Sequence, residues 1–189
     1  GIDNKAYMQQ SANAKNKGGE KFIDLRDAAN VTLSGITLIR PVGWQVVPRG
    51  VTNMLIDNIH LISDYPSDDG IDIVYTQNLT IKNSFLRTKD DNIVVKCLYN
   101  ESPKQTTKNI YVENCVLWNA VWGNNLEIGF ELRSDTVQNI VFKNIDVIHC
   151  EGGAVFSIHN TDFAVVNQIT LEDIRVEDAR QKLFDISIF

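Results

Sequence analysis

The sequence lacks the features that mark several common classes of protein. Its three cysteines, Cys97, Cys115 and Cys150, have no CxxC spacing and no histidine partner at a zinc-ligand distance, so we expect no metal site. No Ser, His and Asp stand in a recognisable triad order, and no glycine-rich segment could hold a phosphate. The sequence therefore indicates no cofactor, and the odd number of cysteines predicts at least one free thiol.

Positive charge is also scarce. The 189 residues carry 18 Lys and Arg against 24 Asp and Glu, a formal net charge of −6, whereas nucleic-acid-binding domains are usually basic. No apolar run reaches the length of about 18 residues that suggests a membrane span, and the chain opens without a signal-peptide pattern. We therefore expect neither nucleic acid nor a membrane as a partner, and the oligomeric state stays open.

What the sequence does contain is a motif that returns six times. Each copy starts with Asn or Gln and alternates apolar with polar residues, a period that predicts a strand and not a helix. The copies are 23 to 31 residues apart, a repeat length that predicts a solenoid in which each copy stacks on the next. They start at Asn30, Asn53, Asn78, Asn109, Asn139 and Gln168.

The motif predicts an all-β solenoid of about six to seven coils over residues 22–189, preceded by an irregular segment at 1–21. A leucine-rich repeat is disfavoured because no helical segment accompanies each strand. The second Asn of the motif should lie at a corner between two strands, since Asn tolerates the left-handed region, and stacked amides should form a ladder. This column contains Asn58, Asn83, Asn114 and Asn144, closed by Asp173.

Two acidic segments lie between the motif copies. Asp68-Asp69-Gly70 and Asp90-Asp91-Asn92 align at an offset of 22 residues, about one coil, so their carboxylates should stack. Like charges opposite each other destabilise a sheet, so the fold gains nothing from them. Crowding raises the pKa of a carboxyl group, and hydrolysis of a glycosidic bond needs one protonated acid and one ionised base. A solvated turn and a calcium site are the alternatives for the acidic segments.

The residue after each acidic pair should form the bend that leads into the next strand. Positive φ is expected there, at Gly70 and Asn92.

The segment Ser67-Asp68-Asp69-Gly70-Ile71-Asp72, followed by Asp90-Asp91, resembles glycoside hydrolase family 28, the polygalacturonases and their relatives. That family carries Asn-Thr-Asp-Gly and then an Asp-Asp pair at this spacing. The resemblance implies a right-handed parallel β-helix, a secreted or periplasmic location and inversion of the anomeric centre. It also implies that Asp90 is the general acid, and that Asp69 and Asp91 position and activate the water. The chain opens near the third or fourth coil of the family pattern, so a fragment of a longer β-helix is one expectation.

The sequence also departs from the family pattern. Asn124 stands where the family has a histidine, and Val155-Phe156-Ser157 stands where the family has the Arg-Ile-Lys that grips the substrate carboxylate. Neither Val155 nor Ser157 can pair with a carboxylate. We therefore expect a carbohydrate substrate other than simple polygalacturonate.

Seven side chains are candidates for contact with the sugar. Alternation along residues 126–133 predicts that Glu127, Glu131 and Arg133 point outwards and that Phe130 points inwards. Lys96 is expected in register with Val74 and Ser157, and a surface position is favoured for it. The seven candidates are Asp68, Lys96, Trp122, Asn124, Glu127, Arg133 and His159.

The leading function is therefore an inverting glycoside hydrolase. A carbohydrate-binding β-helix without catalysis is the alternative, favoured by the missing histidine and basic residues. A polysaccharide lyase is the third, although the sequence offers it no convincing Arg or Lys base. Inversion predicts carboxylates about 6.5–9.5 Å apart, whereas about 5–5.5 Å would indicate retention.

Overall fold

A computed structural model describes residues 21–41, 43–98 and 106–189. Every regular element in these ranges is a β-strand, as the period-two alternation predicts. The strands are β1 Lys21–Arg26, β2 Ala29–Ser34, β3 Thr37–Ile39, β4 Trp44–Arg49, β5 Thr52–Asp57, β6 His60–Ile62, β7 Ile71–Val74, β8 Gln77–Lys82, β9 Phe85–Thr88, β10 Ile93–Cys97, β11 Thr107–Asn119, β12 Leu126–Leu132, β13 Thr136–Cys150, β14 Ala154–Asn160, β15 Val165–Val176 and β16 Lys182–Ile188.

The strands form a parallel β-solenoid. One sheet has seven strands in the order β1-β4-β7-β10-β12-β14-β16, so each strand pairs with its equivalent one coil away. The other sheet bends at a corner: the first half of β11 pairs with β8 and its second half with β9. The solenoid has about five turns, a minor difference from the six to seven coils predicted.

Both ends of the motif lie at corners. The first Asn or Gln of all six copies has φ between 54° and 59°, and the second-position residues from Asn58 to Asp173 have φ between 52° and 55°. The predicted amide ladder joins three members of the column: Asn114 Nδ2 donates to Asn83 Oδ1 at 3.3 Å, and Asn144 Nδ2 donates to Asn114 Oδ1 at 2.7 Å. Beyond these three, Asn83 Nδ2 donates to Asp57 Oδ1, and Asn144 Oδ1 accepts a hydrogen bond from Arg175. The first Asn of the first five copies forms a second ladder, which the sequence alone did not predict.

The core runs along the inside of the coils. One column on the first sheet stacks Val46, Ile71, Ile93, Leu126 and Phe156, and none of these is more than 2% exposed. Each such side chain contributes about 1.5–3 kcal/mol when buried. The rigid stack fixes the height of every residue that flanks it.

The three cysteines are buried free thiols, so the prediction of at least one is confirmed. Burial raises the pKa of Cys97 and Cys150 to about 11 and that of Cys115 to about 12. Each therefore packs as a small apolar side chain.

The predicted irregular segment falls mostly outside the described residues. Of the segment 1–21 only Lys21 is described, and it begins β1. Between β10 and β11 the structure describes Leu98 and then Thr106, and β11 begins at Thr107. Within the described ranges, no helix is long and apolar enough to span a membrane.

Candidate active site

A cavity of about 690 Å³ lies beside the middle coils of the first sheet. The acidic segments reach it because they immediately precede β7 and β10, whose Ile71 and Ile93 are paired. The backbone N–H of Gly70 donates to the carbonyl of Asp91 at 2.8 Å, so the offset of 22 residues is confirmed as one coil. The cavity is lined by Trp44, Pro66, Ser67, Asp69, Asp90, Asp91, Lys96, Trp122, Gly123, Asn124, Glu127, Phe130 and Glu131.

The turn before each strand differs from the prediction in one respect. Neither Gly70 nor Asn92 has a positive φ. Glycine is needed at position 70 for space, because a Cβ there would lie 2.4 Å from the carbonyl oxygen of Asn92 and 2.8 Å from Leu86 Cδ2. The coils therefore approach closely just beneath the carboxylates.

Three predicted catalytic residues meet in this cavity. One carboxylate oxygen each from Asp69, Asp90 and Asp91 lies within 4.8 Å of the other two. Asp69 and Asp91 are buried, and Asp90 is half-buried. This spacing is shorter than the separation of about 6.5–9.5 Å typical of inverting enzymes and closer to the retaining range. The same spacing could hold a cation.

The carboxylates repel one another in a poorly solvated place. Burial, followed by the charges of Asp69 and Asp91, raises the pKa of Asp90 to about 7. Burial and the neighbouring Glu127 and Asp69 raise the pKa of Asp91 well above its ordinary value. At neutral pH the cluster therefore retains protons that isolated carboxyl groups would release.

Lys96 lies beneath the cluster, and the surface position favoured for it is wrong. It is only 8% exposed; its Nζ is 2.8 Å from Asp69 Oδ2 and 3.1 Å from Asp72 Oδ1. These carboxylates raise the pKa of Lys96 well above its ordinary value, despite the opposing effect of burial. Lys96 pairs with Val74 as predicted, but Ser157 pairs with Glu127. The fully buried Asp72 is a second partner that the sequence analysis missed.

Asn124 joins the clustered carboxylates to a further acid. Its backbone N–H donates to Asp91 Oδ1 at 2.7 Å, and its Nδ2 donates to Glu127 Oε2 at 2.6 Å. Glu127 Oε1 lies 3.0 Å from His159 Nδ1, and His159 Nε2 lies 3.4 Å from Asp185 Oδ2. Glu127 is in register with Val94, as predicted, and Val94 with Asp72.

Phe130 points into the cavity, so the prediction that it faces the core is wrong. The register between β10 and β12 shifts: Val95 pairs with Ile128, but Cys97 pairs with Leu132. This irregularity releases Phe130 and Glu131 from the alternation, and both line the cavity. Phe130 is 48% exposed.

The remaining candidates lie in different places. Trp122 lines the cavity and is 58% exposed. The fully buried carboxylate of Asp68 accepts a hydrogen bond from the backbone N–H of Lys89 at 2.6 Å, which holds a turn. Arg133 pairs with Asp162 at 3.1 Å. The side chains of Asp68, Arg133 and His159 are not part of the cavity lining.

Asp68 also keeps a proton more readily than an ordinary Asp. Burial raises its pKa to about 6, although hydrogen bonds from neighbouring groups oppose the shift. A buried carboxyl that accepts backbone N–H groups supports the turn that presents Asp69 and Asp90.

A family model for glycosyl hydrolases family 28 matches residues 2–186, nearly the whole chain. The chain belongs to this family. The resemblance carried by the acidic segments is thereby confirmed, together with the parallel solenoid that it implies. A search of curated proteins found no match.

Two solved structures are similar in fold. The hyperthermoactive exopolygalacturonase of Thermotoga maritima has a TM-score of 0.70 at 19% identity, covering 95% of this chain and 45% of that chain. The endo-xylogalacturonan hydrolase of Aspergillus tubingensis has a TM-score of 0.60 at 15% identity, covering 98% of this chain and 68% of that chain. The family 28 chain described here therefore spans less than half the length of the first protein, and at these identities the likeness concerns the fold.

Proposed function

We propose that this family 28 chain hydrolyses glycosidic bonds in a poly- or oligosaccharide, with Asp90 as the general acid. The observation that carries the proposal is the convergence of Asp69, Asp90 and Asp91 in one cavity, each in a different environment. Asp90 is half-buried with its pKa raised to about 7, so it retains a proton in mildly acidic and neutral solution.

The other two carboxylates suit the activation of water. Asp69 Oδ2 lies 2.8 Å from the Lys96 ammonium, an ion pair that fixes the position of this carboxylate beside the cavity. One oxygen of Asp69 and one of Asp91 lie within 4.8 Å, a span that a single water can bridge with two hydrogen bonds of about 2.7–2.8 Å. In this assignment Asp69 takes the proton of the water, and Asp91 orients it.

The substrate is a carbohydrate other than simple polygalacturonate. The lining contains five carboxylates, and its lysine is already paired with two aspartates. We also propose a secreted or periplasmic location, as the resemblance implies, because a polymeric carbohydrate is met outside the cytoplasm.

The stereochemical course needs its own measurement. The resemblance implies inversion, whereas the oxygen spacing of at most 4.8 Å is closer to the retaining range. We propose inversion, because the Asp69–Asp91 pair can hold a water. Proton NMR of the first product should show the anomer opposite to that of the substrate, and the same anomer would contradict this course.

Hydrolysis of a panel of neutral and acidic oligosaccharides tests the activity. We expect reducing ends to appear with at least one substrate, and Asp90→Asn to lower kcat by about 10²–10⁴. Chelator should leave the rate unchanged, and no unsaturated-uronate absorbance should appear. Sugar binding without hydrolysis would contradict the proposal in favour of a binding module; absorbance that requires calcium would favour a lyase.

A further inference from the structure

Two large aromatic side chains are exposed at the cavity. Trp122 is 58% exposed and Phe130 is 48% exposed, and both belong to the lining. An exposed aromatic ring at a concave site is stabilised when a ligand covers it and removes it from water. Such rings therefore commonly contact a ligand. Trp122 comes from the segment before β12 and Phe130 from its second half, with Glu127 between them in sequence.

The backbone holds Phe130 in this position. Gly129 has φ +141°, and a Cβ on it would lie 2.2 Å from the carbonyl oxygen of His159. The Phe130 ring stacks on the His159 ring with centroids 4.8 Å apart, and His159 is itself fixed by Glu127. The Phe130 ring is therefore held in position by its backbone and by the stacked His159 ring.

The charges beside this surface are negative. Glu127, Glu131, Asp69, Asp90 and Asp91 all line the same cavity as Phe130. Among the described residues of the lining, Lys96 is the one cation, and its ammonium contacts both Asp69 and Asp72. The carboxylate of a bound uronate would be repelled by the five carboxylates that already line this cavity.

We propose that Phe130 and Glu131 form a subsite for an uncharged sugar unit, whose apolar face rests on the Phe130 ring and whose hydroxyls donate to the carboxylates. Trp122 holds a neighbouring unit, so the cavity spans at least two residues of a neutral oligosaccharide. This rests on the proposed function only in taking the cavity as a carbohydrate site. Glu131 sets the preference against uronates.

Binding measurements on an inactive variant test the subsite without depending on hydrolysis. Calorimetry with Asp90→Asn protein should use neutral gluco-, galacto-, manno-, xylo- and arabino-oligosaccharides of four units, with tetragalacturonate as the acidic probe. We expect at least one neutral oligosaccharide to bind about tenfold more tightly than tetragalacturonate. Phe130→Ala should weaken that binding about tenfold. Phe163→Ala removes an exposed ring outside the cavity lining and should change nothing.

A charge reversal tests the role of Glu131. Glu131→Lys should strengthen tetragalacturonate binding about tenfold, and Glu131→Gln should strengthen it less. Thermal melting of each variant checks that the fold is retained. Tighter binding of tetragalacturonate than of every neutral probe, or no binding of any neutral probe at millimolar concentration, would overturn the inference. Neutral binding through Phe130 without hydrolysis by the native protein would instead overturn the proposed function alone.

Discussion

The asparagine ladders and the carboxylate cluster are both stacks of polar side chains on neighbouring coils, but they are stabilised in opposite ways. In the ladder, Asn114 Nδ2 donates to Asn83 Oδ1, and Asn144 Nδ2 donates to Asn114 Oδ1. An amide is both donor and acceptor, so a column of amides satisfies itself. Ionised carboxylates only accept, so Asp69 and Asp91 cannot satisfy each other.

Stacks that serve the fold can therefore be distinguished from stacks that serve a site. The solenoid repeats a position at every coil, and an amide there stabilises each added coil. A carboxylate there costs stability, which must be offset by a buried cation such as Lys96 or by a retained proton. Where a repeat protein keeps such a column, function is the physical reason for it.

The largest effect should come from removing the cation beneath the carboxylates. Lys96→Met leaves Asp69 and Asp72 buried without their ammonium, so we expect a loss of about 3–5 kcal/mol in unfolding free energy. Hydrolysis should fall as well, because Asp69 loses the ion pair that holds its carboxylate in position. Chemical denaturation at pH 8 measures the loss.

The matched control for that variant is Lys82→Met. Lys82 Nζ is 3.8 Å from Asp57 Oδ2, and both side chains are partly exposed, so the loss should be about 0–1 kcal/mol. Equal losses for Lys96→Met and Lys82→Met would show that the buried cation does not offset the carboxylate stack.

A smaller effect is expected in the ladder. Asn83 has φ +52°, and its Nδ2 donates to Asp57 Oδ1 at 2.8 Å. Asn83→Ala should cost about 1–2 kcal/mol from the left-handed backbone alone, whereas Asn83→Gly removes that strain and should cost less. Thermal unfolding distinguishes them, and an alanine variant as stable as the native protein would contradict the structural role of the column.

The last effect is the pH dependence of the native protein. The pKa of Asp68 is raised to about 6 and that of Asp90 to about 7, so the folded chain binds these protons more tightly than the unfolded chain. Their stabilising contribution is complete below the ordinary pKa of about 4 and is lost as pH rises to about 7. Each group changes the stability by at most about 1.4 kcal/mol per pH unit, and the partly exposed Asp90 by less. Denaturation midpoints should therefore fall between pH 5 and pH 8; a rise over this range would contradict the assignment.

The repeat could be predicted from sequence because two local rules agree along the whole chain. Period-two alternation marks the strands, and Asn marks the corners where φ is positive, as at Asn58 and Asn144. The coil count followed less closely: the motif predicts six to seven coils, and the solenoid has about five turns.

The site could be predicted only where it follows the repeat. The offset of 22 residues places Asp69 beside Asp91 because both lie just before equivalent strands. The predicted surface position of Lys96 is wrong because alternation does not show that Asp69 and Asp72 lie within reach of its long side chain. The predicted inward orientation of Phe130 is wrong because the register shift after Val95 breaks the alternation. A glycine within a strand, here Gly129, was the one signal of that break.

The most direct test of the carboxylate column as an active site is the unfolding free energy of Asp90→Asn at pH 8, measured beside its hydrolytic rate. Because the pKa of Asp90 is about 7, its carboxyl group is ionised at pH 8 and is repelled by Asp69 and Asp91. The neutral amide of the variant is not repelled in this way. We therefore expect a variant that is more stable than the native protein and almost inactive. A variant that is less stable, or that keeps native activity, would contradict it.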